Sequence, residues 1–157
     1  TTSSATHIAV VEIDPETFMV HVKAYLVAED CGKMINPLIV DGQVQGAVAQ
    51  GIGAALFEEV VYDGQGQILS ASLVDYVAPT APEIPDMMIL HIESVLPATI
   101  GGFRGMGEGG TIGAPAAIAN AISDALLPLG IEIKELPATP ERLYQLIKKN
   151  KFNVKGA

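Results

Sequence analysis

A glycine-rich stretch at residues 101–110, here called the glycine loop, constrains the fold of this chain more than any other feature. Six of its ten residues are glycine, and its one carboxylate, Glu108, lies just ahead of a helix-like run. Glycine is favoured where the backbone takes a positive φ or approaches a ligand closely, and ordering it costs more entropy than ordering any other residue. A purely structural connection seldom needs that combination. The pattern therefore predicts a functional loop with a carboxylate at its centre.

Two interpretations of Glu108 follow. A glutamate held in a tight, partly dry loop suits a general base near neutral pH, because desolvation raises the proton affinity of a carboxylate. The alternative is a solvent-facing acid in a flexible loop, which is the commoner situation for a glutamate. The glycines on both sides favour the catalytic interpretation.

A third interpretation is a dinucleotide or phosphate site, because Gly105, Gly107 and Gly110 satisfy the pattern G-x-G-x-x-G. That fingerprint should join a strand directly to a helix. Here residues 96–104, with a proline and two glycines, separate the strand pattern from the motif. Glu108 would also place a negative charge where a pyrophosphate must bind. The motif is therefore only weak evidence for a dinucleotide or phosphate site.

Composition narrows the class of protein. Of 157 residues, 49% are hydrophobic and 17% charged, so the chain can bury a core. The net charge of −9 argues against a nucleic-acid partner, and the only basic cluster, at 148–151, reads as a solvated tail. A single cysteine excludes an internal disulfide, and also an iron–sulfur cluster or structural zinc held by this chain alone. We expect no membrane span, no signal peptide at Thr1-Thr2-Ser3-Ser4, and a cytoplasmic location.

Periodicity predicts one α+β domain. Alternating runs predict strands that include a hairpin, while helical spacing predicts a long glycine-rich helix and two C-terminal helices. The predicted elements are strands at 8–13 and 18–26, a helix at 38–60, a short strand pair at 62–72, a strand at 88–93, and helices from 114 or 115 to 127 and from 139 onward.

The long predicted helix carries a second candidate site. Gln43, Gly46, Ala47, Gln50 and Ala54 would share one helical face. Small residues there let a bulky neighbour come close, and the amides offer donors and acceptors. Close helix packing with the glutamines at its rim is the alternative, and the spacing alone slightly favours it.

The histidines and the cysteine give no separate site. His7, His21 and His91 stand singly in strand patterns without metal-ligand spacing, so surface or ordinary core positions explain them. Cys31 has no evident histidine partner, which favours a small buried residue over a nucleophile.

Three segments together resemble a known family. They are Asp30-Cys31-Gly32-Lys33-Met34-Ile35-Asn36-Pro37, the run 42–53, and Gly105-Met106-Gly107-Glu108-Gly109-Gly110-Thr111-Ile112-Gly113-Ala114-Pro115. In this order they resemble the C-terminal part of the large, molybdenum-binding subunit of the xanthine dehydrogenase family, which includes aldehyde oxidases and aerobic carbon monoxide dehydrogenases. The resemblance covers about residues 5–147 and is greatest to bacterial carbon monoxide dehydrogenase-type large subunits.

The resemblance implies a molybdenum hydroxylase. In that family a molybdopterin cofactor, here expected in its cytosine dinucleotide form, holds the metal without a side-chain ligand. Glu108 would be the general base that deprotonates the Mo–OH group during hydroxylation of an aldehyde, an N-heterocycle or a similar small substrate. Gln50 would hydrogen-bond the pterin, Gly107 would line the pocket beside the metal, and Gln43 would also contact the cofactor.

The resemblance also implies partners. The family's subunit is several times longer, so we expect residues 1–157 to be the C-terminal segment of a molybdopterin-binding domain, either a fragment or one piece of a split subunit. It would assemble with the remaining molybdenum-binding segments and with iron–sulfur and FAD subunits. A non-catalytic assembly module is the alternative. Glu108 distinguishes the two, since an enzyme needs this carboxylate to face a cofactor cavity.

Overall fold

A computed structural model describes the backbone of residues 3–154 and the side chains of residues 3–150. Strands and helices are mixed along this part of the chain, which confirms the predicted α+β class. Its main elements are β1 (Ser4–Ile13), β2 (Val20–Asp30), α1 (Pro37–Leu56), β3 (Met87–His91), α2 (Gly109–Leu126) and α3 (Pro140–Val154).

The described strands form one sheet in the order β1-β2-β3. β1 and β2 are antiparallel, and the carboxylate of Asp14 shapes their connection by accepting the N–H groups of Glu16 at 2.7 Å and Thr17 at 3.0 Å. β3 runs parallel to β2, which requires a long crossover, and α1 lies within it. The predicted hairpin is confirmed, and β2 is the central strand.

A bulge in β2 exchanges its two faces. Lys23 is passed over in the ladder between β1 and β2. Strict alternation predicts that Ala24 lies on the face of Val22, but the extra residue shifts the later side chains by one position. The face toward the helices is therefore completed by Tyr25, Val27 and Glu29. Alternation along this strand predicts Val20, Val22, Ala24 and Leu26 on one face, and this prediction is wrong after the bulge.

α1 begins with a capping residue. The Asn36 side chain accepts the N–H of Ile39 at 3.4 Å, and Pro37 suits the first helical position because an N–H is not needed there. The helix ends before the predicted residue 60, because the backbone of Phe57 leaves the helical angles with a φ of −129° and the N–H of Glu58 donates to the carbonyl of Gly53, five residues back, at 2.8 Å.

Removing this cap is expected to destabilise the protein modestly. Asn36→Ala leaves the N–H of Ile39 without its partner, and a lost N-cap costs about 1 kcal/mol. Thermal unfolding of the assembled protein should show this loss, whereas Asn36→Asp, which keeps an acceptor oxygen, should retain most of the stability. Equal stability of the two variants would contradict the capping role.

α2 begins at Gly109, five residues earlier than the earlier of the two predicted starts. Glycines in its first turns disfavour a helix by about 1 kcal/mol each relative to alanine. Here close packing compensates. A Cβ on Gly110 would lie 2.7 Å from the carbonyl oxygen of Val44, and one on Gly113 would overlap the ring of His7. Tertiary contact therefore decides where this helix starts.

The helices cover one face of the sheet, and the core lies between these layers. Its largest fully buried apolar side chains are Val27, Val44, Val48, Ile52, Ile118, Ile122 and Leu143. Leu143 and Ile147 of α3 are buried, whereas Leu146 is 38% exposed. Burial of apolar area contributes about 25 cal/mol per Å², so these aliphatic groups hold the layers together.

The strand pair predicted at 62–72 is present as one antiparallel bridge and does not extend into two strands. A single bridge joins Tyr62 to Ile68. The Asp63 carboxylate accepts the N–H groups of Gln65 and Gln67 at 2.8 and 2.9 Å, which folds the segment into a tight turn. Because the flanking side chains remain exposed, little apolar burial is available to extend the ladder.

Predictions at the two chain ends have different outcomes. The basic cluster expected in a tail belongs to α3, where Lys148 and Lys149 are exposed. The side chain of Lys151 lies outside the described residues. Thr1 and Thr2, the first two residues of the segment expected not to be a signal peptide, also lie outside the described residues.

One described segment, Gly109–Leu129, is apolar and long enough to cross a membrane by length and composition alone. The expectation that no apolar run reaches this length is therefore wrong. The same test is passed by core helices. α2 buries Ile118, Ile122 and Leu126 and contacts α1 and β1, so the segment is a core helix of this fold.

Candidate functional site

The end of β2 is joined directly to the glycine loop. Gly32 forms an antiparallel bridge with Phe103, and the N–H of Arg104 donates to the carbonyl of Cys31 at 2.8 Å. Gly32 has a φ of +69°, and a Cβ there would overlap the carbonyl oxygen of Gly102. Only glycine fits both conditions. The first segment that carries the family resemblance is therefore in contact with the residues that lead into the third.

Asp30 stabilises the contact between the end of β2 and the glycine loop. Its carboxylate accepts the N–H of Gly32 at 2.9 Å and the N–H of Ser94 at 3.1 Å, and Arg104 Nη1 lies 3.8 Å away. Hydrogen bonds from Ser94 and Gly32 lower the pKa of Asp30. The neighbouring Cys31 is only 4% exposed, which confirms a buried small residue. The glycine loop is thus anchored at its start.

Gln43 anchors the other end of the loop. Its Nε2 donates to the carbonyl oxygen of Gly107 at 2.6 Å, across 64 residues of sequence. This contact joins α1 to the residue immediately before Glu108. Two residues predicted to bind a cofactor, Gln43 and Gly107, are therefore brought together.

Glu108 occupies the N-cap position of α2, but its side chain accepts no capping hydrogen bond. The side chain is exposed in the described part of the chain. The partly dry surroundings expected for this carboxylate are therefore not provided by the described residues. The loop fixes the backbone at Glu108 and leaves the carboxylate accessible.

Gly107 supplies space rather than an unusual backbone angle. No atom lies within 4 Å of a Cβ placed on it, and its φ is outside the positive region. In contrast, Gly101 and Gly102 have φ values of +79° and +73°. Gly101 and Gly102 therefore allow the backbone to turn at the start of the loop, whereas Gly107 leaves open space beside Glu108.

Gln50 lies on the exposed face of α1, two turns beyond Gln43 and about 10.5 Å along the axis. Gly46 lies between them, and no atom is within 4 Å of a Cβ placed on it. Ala47 does not belong to this face, since it is 7% exposed and contacts Gly110. The predicted five-residue face is therefore divided into an exposed amide side and a buried packing side.

The packing side of α1 meets α2 closely. A Cβ on Gly51 would overlap the Cβ of Ala114, and one on Gly110 would lie 2.8 Å from the Cβ of Ala47. Thr111 Oγ1 also donates to the Ala47 carbonyl at 3.2 Å. The helix-packing interpretation is correct for this side, and the close contact fixes the start of α2 against α1.

Sequence reasoning missed Glu29, which is 0% exposed. The strand prediction ended at residue 26, three positions before it. Continued alternation beyond that point could have flagged Glu29 as lying on a strand, although the bulge at Lys23 would still have assigned it to the wrong face. Its position beneath Gly109 depends on tertiary structure.

Comparisons with known proteins agree with this arrangement. A family model of the molybdopterin cofactor-binding domain matches residues 1–85. The nicotine 6-hydroxylase large subunit of Paenarthrobacter nicotinovorans is 47% identical over 93% of this chain, and the carbon monoxide dehydrogenase large chain of Hydrogenophaga pseudoflava is 31% identical over 92%. The crystal structure of quinoline 2-oxidoreductase from Pseudomonas putida 86 matches 90% of the chain with a TM-score of 0.89 and 47% identity.

In each of these three matches the aligned region is 18% of the relative's length. The solved neighbour reproduces the α+β arrangement, and the relatives include the subunit type that the three sequence segments resemble. The chain therefore belongs to the molybdopterin cofactor-binding domain family and is similar to one segment of the molybdenum-binding large subunits of the xanthine dehydrogenase family.

Proposed function

We propose that residues 1–157 are the C-terminal segment of the molybdenum-binding subunit of a molybdenum hydroxylase, with Glu108 as its general base. The observation that carries this proposal is the exposed carboxylate of Glu108 beside the open Gly107, whose carbonyl is held by Gln43. A general base must be accessible and held in place. An anchored loop with an accessible carboxylate meets both conditions.

The residues present fit the cofactor that the family binds. Gln43 and Gln50 carry amides that can donate and accept, while Gly46 and Gly107 leave room for a ligand near the backbone. In the proposal Gln50 and Gln43 hold the pterin and Gly107 lines the space beside the metal. When bound, the cofactor supplies two-electron oxidation with oxygen derived from water. We expect its cytosine dinucleotide form.

The task of Glu108 in this reaction is to accept one proton. The start of α2 provides a positive potential beside a carboxylate at this position. Because Glu108 caps none of its own helix N–H groups, its oxygens are available to the reacting group. Gln43, through the Gly107 carbonyl, limits the movement of the backbone that carries it.

An N-heteroaromatic compound is the proposed substrate. The nicotine 6-hydroxylase and quinoline 2-oxidoreductase matches are each 47% identical to this chain, and the names of both denote nitrogen heterocycles. The carbon monoxide dehydrogenase large chain is 31% identical. An aldehyde is the second candidate, because the aldehyde oxidoreductase of Desulfovibrio gigas matches with a TM-score of 0.82.

The proposed assembly contains the rest of the molybdenum-binding subunit and iron–sulfur and FAD subunits, in the cytoplasm. Relatives named as a large subunit, a large chain and a subunit of a complex support a multi-subunit protein. A non-catalytic module that packs through the glycine loop is the rival function. The 47% identity to a nicotine 6-hydroxylase large subunit favours the enzyme, because the exposure of Glu108 in this segment is compatible with both functions.

Gln50→Ala is expected to weaken cofactor retention by roughly 1–3 kcal/mol, because it would leave a buried polar group of the ligand unsatisfied. Molybdenum content after dialysis measures the effect, and the fold should be unchanged because Gln50 is exposed. Gln45→Ala is the matched control, since Gln45 is also an exposed glutamine of α1. Equal retention by both variants would contradict the assigned role of Gln50.

The proposed function is tested by purifying the protein from its natural source and measuring molybdenum, iron and flavin alongside the masses of associated chains. Stoichiometric molybdenum with larger or companion chains is the expected result. A metal-free chain of 157 residues that purifies alone would overturn the enzyme proposal and favour the packing module.

A further inference from the structure

A polar pair is buried at one end of the sheet. Glu29 of β2 is opposite His91 of β3 in the parallel ladder, so both side chains lie on the face toward the helices. Glu29 is 0% exposed, and within the described residues neither of its carboxylate oxygens has a hydrogen-bond partner. Buried polar groups are normally hydrogen-bonded, so an unpartnered carboxyl group at this position requires an explanation.

Glu29 lies directly beneath the first turn of α2. A Cβ placed on Gly109 would be 3.1 Å from Oε1 and 3.2 Å from Oε2 of Glu29, and 3.0 Å from Sδ of Met106. Gly109 is the residue after Glu108. The carboxyl group of Glu29 therefore supports the backbone that carries the proposed base, and any side chain at 109 would displace one of the two.

The charged and titratable groups around Glu29 come from several elements. Asp30 follows it in β2, and His91 of β3 is tied to Asp41 of α1 by a 2.6 Å contact between Nε2 and Oδ1. Cys31 follows at the end of β2, and Ser3 lies ahead of β1. Burial raises the pKa of Glu29; the nearby hydroxyl of Ser3, which does not meet hydrogen-bond geometry with the carboxylate, and the charge of His91 oppose this, and the charge of Asp30 adds to it.

We propose that Glu29 is a positioning residue for Glu108: the buried side chain of Glu29 supports the first turn of α2 and thereby fixes the direction of the Glu108 side chain. This inference rests on the proposed function of Glu108. A neutral carboxyl group fills the space without the cost of an unpaired buried charge. If Glu29 were ionised, an unpaired negative charge would lie next to Gly109. Water or the N–H groups at the start of α2 would then move toward that charge.

Two substitutions separate the shape of the side chain from its charge. Glu29→Gln keeps the size and the planar end that lies under Gly109 but cannot ionise, whereas Glu29→Leu keeps similar bulk with a branched, non-planar end. In the assembled holoenzyme, Glu29→Leu is expected to lower kcat by about 10-fold to 100-fold with little change in KM, because small displacements of a reacting group have effects of this size. Glu29→Gln should restore kcat to within about threefold of the unsubstituted enzyme.

The pH dependence gives an independent readout. A carboxyl group with a raised folded-state pKa contributes stability at low pH, and this contribution is lost as pH rises through the folded-state pKa. The unsubstituted protein should therefore lose thermal stability with rising pH over that interval, and Glu29→Gln should reduce the loss. Glu12→Gln, a change at an exposed glutamate of β1, should leave it unchanged.

Several outcomes decide the inference. Normal kcat in Glu29→Leu, or an unchanged pH dependence of stability in Glu29→Gln, would overturn it. If Glu29→Leu does not assemble, the Glu29→Gln stability profile and kcat still provide the decision. Failure of the proposed function is recognised separately, because Glu108→Gln would then retain turnover whatever the Glu29 variants do.

Discussion

Glu108→Gln is expected to lower turnover by about 10²–10⁴-fold, the contribution typical of a general base. The change keeps the size of the side chain and removes its ability to accept a proton. Because the Glu108 side chain caps no helix N–H, α2 should still begin at Gly109 and the fold should be unaffected. Cofactor content should also be retained, since Gln43, Gly107 and Gln50 are unchanged.

The measurement is kcat on an N-heteroaromatic substrate, together with molybdenum content and thermal unfolding of the assembled protein. Glu16→Gln is a suitable control, because Glu16 is an exposed glutamate in the turn between β1 and β2, away from the glycine loop. Turnover within a few-fold of the unsubstituted enzyme would show that Glu108 is not the base. Loss of molybdenum together with turnover would instead indicate a role in binding.

The second large effect is expected at the crossing of α1 and α2. A Cβ on Gly51 already overlaps the Cβ of Ala114, so Gly51→Leu must push the helices apart. Overpacking typically costs about 1–3 kcal/mol, and a leucine at a helix crossing should reach or exceed the upper value. Thermal or denaturant unfolding of the assembled protein measures this, and activity should fall as well because α2 carries the residue next to Glu108.

A size exchange tests the same contact more specifically. Gly51→Ala should destabilise the protein less than leucine does, and Ala114→Gly in the same chain should recover much of the loss by removing the overlapping methyl group. The two single variants and the double variant form a double-mutant cycle, in which residues in contact typically show a coupling energy of about 0.5–3 kcal/mol. Gly64→Leu serves as control, because no atom lies within 4 Å of a Cβ at that position. Strict additivity of the two changes would contradict the proposed close crossing.

The fold was largely predictable where local pattern and tertiary burial agree. Alternation identified the hairpin, and helical spacing identified α1, α2 and α3. Prediction failed where a single residue changes the pattern. Lys23 is bulged, which turns Tyr25 inward and Ala24 outward. α2 starts at Gly109 because its glycines pack against neighbouring elements, a contribution that helix propensity does not contain.

The candidate site was likewise predictable from the sequence in some respects and not in others. Residue types and motif order singled out Glu108, Gln50, Gly107 and Gln43, but sequence could not show that Gln43 donates to the Gly107 carbonyl, because these residues are 64 positions apart. The sequence also predicted partly dry surroundings for Glu108, whereas the described residues leave its side chain exposed. The roles of these four residues in catalysis and cofactor binding stay predictions.

By itself the sequence determined the α+β class, the family resemblance and the candidate carboxylate, since these depend on residue types and on spacing along the chain. Only the tertiary structure decided that the end of β2, α1 and the glycine loop meet at one place, and that Glu29 lies buried beneath Gly109. The physical reason is that burial and close packing act between segments distant in sequence. Local preferences leave those contacts undetermined.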